Sequence, residues 1–132
     1  MTTATSYAIG RSVALPYDKA VERIRATLAE QGFGVLTEID VRATLKKKLD
    51  VDFKRYIILG ACNPPLAYRG FQEELDIGLL LPCNVIVYEE SPTESRVAVL
   101  DPVAQLGITG RRDLEPLARE AREKLERALE RV

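Results

Sequence analysis

Hydrophobic positions along the chain repeat every two residues in some stretches and every three to four in others, and the switches fall at Pro, Gly or Asn. Residues 6–15 alternate. Tyr7, Ile9, Val13 and Leu15 share one face, interrupted by Arg11, while Ala8, Gly10, Ser12 and Ala14 make a small-residue face suited to close approach by a helix or a second chain. Pro16 ends this predicted strand, and the period changes. Val21, Ile24 and Leu28 form the apolar stripe of a first helix that begins near Asp18 and stops at Gly32. Residues 33–41 alternate again, with Phe33, Val35, Thr37, Ile39 and Val41 on one side. Residues 42–50 read as a short helix anchored by Leu45 and Leu49. Its run Lys46-Lys47-Lys48 is a solvated face rather than an anion site.

Residues 53–62 are apolar on both faces at Ile57, Ile58 and Leu59, which predicts a central strand. Asn63-Pro64 is a helix start, with an amide at the cap and a proline where no N–H is missed. That helix runs to about residue 74. Residues 76–81 are an apolar connector closed by Pro82, and residues 83–90 and 95–100 form a hairpin around a Ser-Pro-Thr-Glu turn. Residues 103–112 read as a connector. Asp113 is the expected cap of a last helix whose Leu114, Leu117, Ala121, Leu125, Ala128 and Val132 keep the helical period. Its other face offers the four-residue charge pairs Arg119–Glu123, Glu120–Lys124, Arg122–Glu126 and Glu123–Arg127.

The predicted order is β-α-β-β-β-β-α, with two minor helices in loops. Two helices with one apolar stripe each cover one sheet face, so the expected fold is an α+β two-layer sandwich with a mostly antiparallel sheet, as one domain over residues 1–132. Strands apolar on both sides leave the second sheet face to be covered, which predicts a homodimer. Antiparallel pairing of the third and fourth strands puts Cys62 and Cys83 at one edge; a parallel crossover would separate them.

Composition narrows the chemistry. Apolar residues are 46%, charged residues 30%, and the net charge is −1 with the two signs interleaved, so neither nucleic acid nor membrane is an expected partner. The chain has no histidine, which removes the commonest general base and metal ligand, and two cysteines alone cannot complete a zinc site; no metal or cofactor is expected. The first six residues lack the features of a signal peptide, which predicts a cytoplasmic protein. Dense Arg and Glu pairing hints at a thermophilic source.

Gly60-Ala61-Cys62-Asn63-Pro64 together with residues 79–85 (Leu-Leu-Leu-Pro-Cys-Asn-Val), the segment from Gly32 to Val41, and Asp101-Pro102 resemble the bacterial and archaeal family called domain of unknown function 302. The resemblance spans nearly the whole chain. It implies a fold like the two-layer class of the TATA-box-binding protein, and a homodimer. It implies no DNA-binding role, since function belongs to sites rather than folds.

Three functions stand at this point, and whether any is enzymatic is open. The favoured one is a small-ligand-binding or sensor module at the Cys62/Cys83 edge, with Cys62, Asn63, Cys83 and Asn84 as ligand-binding residues. The second is dithiol redox chemistry, since Cys62 precedes a helix whose dipole lowers thiol pKa values and Cys83 would resolve the oxidised form. The third is a purely structural dimer or protein-interaction module. Tyr68 and Tyr88 are candidate rim residues. Glu38 and Asp40 are a carboxylate pair about 7 Å apart along a strand, and Asp101 is a general base only if buried.

Overall fold

The computed structural model describes residues 5–132; Met1–Ala4, on which most of the signal-peptide reading rests, lie outside the described residues. Strands β1 (Ala8–Val13), β2 (Gly34–Asp40), β3 (Tyr56–Cys62), β4 (Cys83–Ser91) and β5 (Glu94–Leu100) form one antiparallel sheet in the order β1-β5-β4-β3-β2. The predicted meander of the second to fifth strands is there, and β1 closes the far edge beside β5. Helices α1 (Tyr17–Glu30) and α5 (Glu115–Glu130) lie side by side on one face. The α+β two-layer arrangement follows from their stripes.

The register identifies the covered face. Leu59 pairs with Val85 and Val85 with Val99; Ile57 pairs with Val87 and Val87 with Val97. Residues directly opposite one another share a face, and Leu59, Val85, Val87, Val97 and Val99 pack with Ile24 and Leu28 of α1 and Leu125, Ala128 and Leu129 of α5. Arg11, the charge that interrupts the apolar face of β1, belongs on this side too. Its guanidinium donates to the carbonyls of Leu129 and Glu130 at 3.3 and 3.1 Å, satisfying acceptors at the end of α5 where a cation is favoured. The other face carries Ile58, Ile86 and Ala98 in one cross-strand row.

Four local expectations change. A bulge between Val35 and Thr37 breaks the alternation of β2, so Val35 pairs with Ala61 while Thr37 pairs with Gly60, and Leu36 is left exposed. Helix α2 (Val41–Leu49) starts one residue early because the Asp40 carboxylate accepts from the Ala43 N–H at 2.9 Å. Asp40 is thus a cap, and its expected carboxylate partner Glu38 pairs with Arg25 of α1. The connector before α5 holds a short helix, α4 (Pro102–Gly107), capped by Asp101, whose side chain accepts from the Val103 N–H at 2.9 Å. Asp113 does not cap α5. It sits in a 3₁₀ turn (Arg112–Leu114) and pairs with Arg111 instead. Of the expected charge pairs on α5, Arg122–Glu126 forms at 3.3 Å, and Arg119 turns back to Glu115 at 2.6 Å.

Candidate functional site

Beyond the end of the sheet that carries the C-terminus of β3, the chain between β3 and β4 rises as α3 (Pro64–Glu73) and a 3₁₀ strap (Leu75–Leu80). Asn63 fixes the start of α3. Its side-chain carbonyl accepts from the Leu66 N–H at 3.3 Å, and its amide donates to the Gln31 carbonyl at 3.4 Å, tying the helix to the end of α1. Leu66 of α3 and Ile77 of the strap meet Leu106 of α4 and Leu114, Leu117 and Ala118 around the start of α5, making a second apolar core.

This second core does not fill its space. Between it and the sheet end lies a chamber of about 330 Å³. Its walls come from β2, β3, β4, α3, the strap, α4 and α5, and include Leu66, Phe71, Ile77, Leu81, Leu106 and Leu117. No Asp, Glu, Lys or Arg lines it. The polar groups at its surface are few: Thr37, Asn63, Gln105 and the two thiols. Gln105 is buried and already committed. Its amide donates to the Leu80 carbonyl, and its carbonyl oxygen accepts from the Cys83 thiol at 3.3 Å.

The expectation of a cysteine pair does not hold. β3 and β4 are antiparallel neighbours, so both cysteines do lie at one end of the sheet, but the register sets Cys83 opposite Ala61 and not opposite Cys62. The two sulfurs are therefore offset by one position across the strands rather than paired, although both line the chamber. Both thiols are free. Burial pushes the Cys62 thiol up from its ordinary pKa rather than the helix start pulling it down, and burial pushes Cys83 from 9.0 to about 11, with the neighbouring Cys62 adding to it. Two protonated, unpaired thiols, one of them hydrogen-bonded to an amide, are neither a redox couple nor a paired sensor site. The ligand or sensor site centred on the pair and the dithiol alternative both fall.

The other expected positions are spread out. Cys62, Asn63 and Cys83 are on the chamber wall, whereas Asn84 pairs with Gly60 on the open sheet face and borders a separate shallow groove with Leu79 and Ile108. Tyr68 is exposed, and Tyr88 stacks on Tyr56 with ring centroids 5.3 Å apart. Asp101 is held by Arg122 at 3.2 Å as well as capping α4, which leaves it no free role as a base. Gln105 and the strap were missed. Gln105 lies in a stretch read as a connector, and only the Asp101-Pro102 helix start, the same signal read correctly at Asn63-Pro64, pointed to a helix there.

Among the described residues no cluster of His, Cys, Asp or Glu could hold a metal ion, and no helix is long and apolar enough to cross a membrane. Residues 9–132 match the family described as domain of unknown function DUF302. A crystal structure of an uncharacterized conserved protein DUF302 from Bacillus stearothermophilus is similar at 30% sequence identity and a TM-score of 0.88, covering 96% of this chain and 98% of that one. None of the curated proteins matches.

Proposed function

Because this chain belongs to the DUF302 family, whose description carries no activity, we propose a function from the chamber alone: the protein binds a small, uncharged, mainly apolar molecule beneath α3 and the strap. The supporting observation is the wall itself, about 330 Å³ of space bounded by apolar side chains with no charged group among them. That volume is at the lower end of the range for small-molecule sites, about 300–1,000 Å³. A charged ligand would lose its hydration there with nothing to replace it. An uncharged one that buries about 250 Å² of apolar surface gains roughly 6 kcal/mol before the cost of immobilisation, so its dissociation constant is no tighter than about 40 μM. In this reading Cys62, Asn63 and Cys83 contribute wall rather than chemistry, and Asn84 lies outside.

Titration with the uncharged fluorophore N-phenyl-1-naphthylamine tests this. The wild type should bind it saturably, Cys62→Ser should bind it equally, and Ala67→Phe, which fills the chamber from α3, should lose it. Equal binding by Ala67→Phe and the wild type would end the proposal.

A second copy is the partner proposed for the second sheet face, where Ile58 and Ile86 are partly exposed and Ile39 is 50% exposed. The likeness to the TATA-box-binding-protein class belongs to the same reading: helices on one side of the sheet, the other side free for a partner. A cytoplasmic setting, in which free thiols stay reduced, belongs to it too. Sedimentation should show a dimer that Ile86→Lys separates; a monomeric wild type would remove this part.

A further inference from the structure

The strap is bracketed by side chains from one neighbouring segment. At its start, the Arg111 guanidinium donates to the Glu73 carbonyl at 2.7 Å and to the Glu73 carboxylate at 3.2 Å, with Glu74 at 3.9 Å. At its end, the Gln105 amide donates to the carbonyl of Leu80, the last residue of the strap. Between these clamps a single strap residue, Ile77, is buried, while Leu75 and Leu79 are 83% and 87% exposed. Glu74 and Leu81 flank the strap in extended conformation, each a single residue between it and the next element or proline. The strap is therefore a separable piece. It has one buried side chain, side-chain clamps at its two ends, and a single extended residue on either side, the features of segments that open locally. It also lies over the chamber, since Ile77, Gly78 and Leu81 are part of the wall.

We propose that the strap is the gate of the chamber, swinging at Glu74 and Leu81, with Arg111 and Gln105 as the latches that set how often it opens. This rests on the chamber being a binding site, but the motion can be measured without any ligand. The two latches differ in kind. Gln105 is buried and neutral. Arg111 is partly exposed and ionic, and it is held in place by Asp113, whose carboxylate takes a hydrogen bond from its Nε at 3.1 Å. Salt therefore weakens one latch and leaves the other.

Cys83 reports the motion, because its thiol lies beneath the strap and is bonded to Gln105. In a Cys62→Ser background, the rate at which N-ethylmaleimide labels Cys83 measures opening. Arg111 does not touch that thiol, so Arg111→Ala changes the rate only through the strap. We expect labelling to rise about three- to tenfold in Arg111→Ala, in keeping with loss of a charge-assisted hydrogen bond. About 1 M salt should give a similar rise in the parent and almost none in Arg111→Ala. Arg111→Lys should recover part of the slow rate. Gln105→Ala should also accelerate labelling, independently of salt. The acceleration must depend weakly on urea, because local opening exposes little surface.

Unchanged labelling in Arg111→Ala, or acceleration with the urea dependence of global unfolding, would overturn the gate. The two proposals fail separately. If the strap loosens but N-phenyl-1-naphthylamine never binds, the ligand reading is lost and the hinge stands. If the dye binds as fast to the parent as to Arg111→Ala, with Cys83 labelling unaltered, the chamber stands without a gate.

Discussion

The molecule has two apolar cores of different character. The first, between the sheet and helices α1 and α5, is built from side chains such as Ile24, Leu28, Leu59, Val85 and Leu125, each wholly removed from solvent. The second, under α3 and the strap, holds fewer residues; Leu66, Leu106 and Leu117 are slightly exposed, and it borders the 330 Å³ chamber. The first is backed by continuous strand ladders on its sheet side. The second is fastened largely by side-chain clamps from Asn63, Gln105 and Arg111. Packing density carries stability and incomplete packing leaves room for a ligand, so the fold keeps the two in separate places.

The sharpest way to break this contrast is a matched pair of truncations. Leu59→Ala should cost about 3–5 kcal/mol in chemical denaturation, since its neighbours cannot close the void. Leu106→Ala should cost less, about 2–3 kcal/mol, because one side of that leucine already faces open space. Equal costs would mean that the two cores are packed alike.

The next effect is a pH dependence. Cys83 has its pKa raised to about 11 in the folded chain. The unfolded chain ionises first, so stability is complete below about pH 9 and declines as the pH rises toward 11, by at most about 3 kcal/mol. Burial raises the pKa of Tyr17 and Tyr56 as well, so the comparison with Cys83→Ser isolates the thiol: its denaturation midpoint should fall less steeply over that interval. Identical slopes would show that Cys83 is not buried beneath the strap.

Smaller still, Asn63→Ala should cost about 1 kcal/mol through loss of the α3 cap, with amide exchange quickening in α3 and the strap rather than in the sheet. Arg119→Ala, which breaks an exposed pair with Glu115, should stay within about 0.5 kcal/mol of the parent. A larger loss at Arg119 than at Asn63 would show that the exposed ion pair matters more than the helix cap.

The contrast between the cores also explains what could be read in the sequence. The first core was legible because Ile24 and Leu28, Val85 and Val87, or Leu125 and Ala128 repeat with the period of their own element. The meander of β2 to β5 was legible as well, whereas the place of β1 beside β5 was not. The second core joins residues from three short pieces and the start of α5, and no period links Leu66 to Ile77 or Leu106. The strap is too short to show one. The cysteines misled for a related reason. Sequence placed both at one sheet end, correctly, but a shift of one position between Ala61 and Cys62 decides whether the two cysteines stand opposite each other, and register is not written in the motif. Glu38 and Asp40 separated in the same way, once a bulge and a helix cap intervened.

Methyl NMR of the protein titrated with N-phenyl-1-naphthylamine tests the chamber most directly. Saturable shifts are expected at Leu66, Ile77, Leu81, Leu106 and Leu117, with the methyls of Val85, Val87, Val97 and Val99 unmoved. Shifts confined to Ile58 and Ile86 on the open sheet face, or no shifts at all, would contradict it.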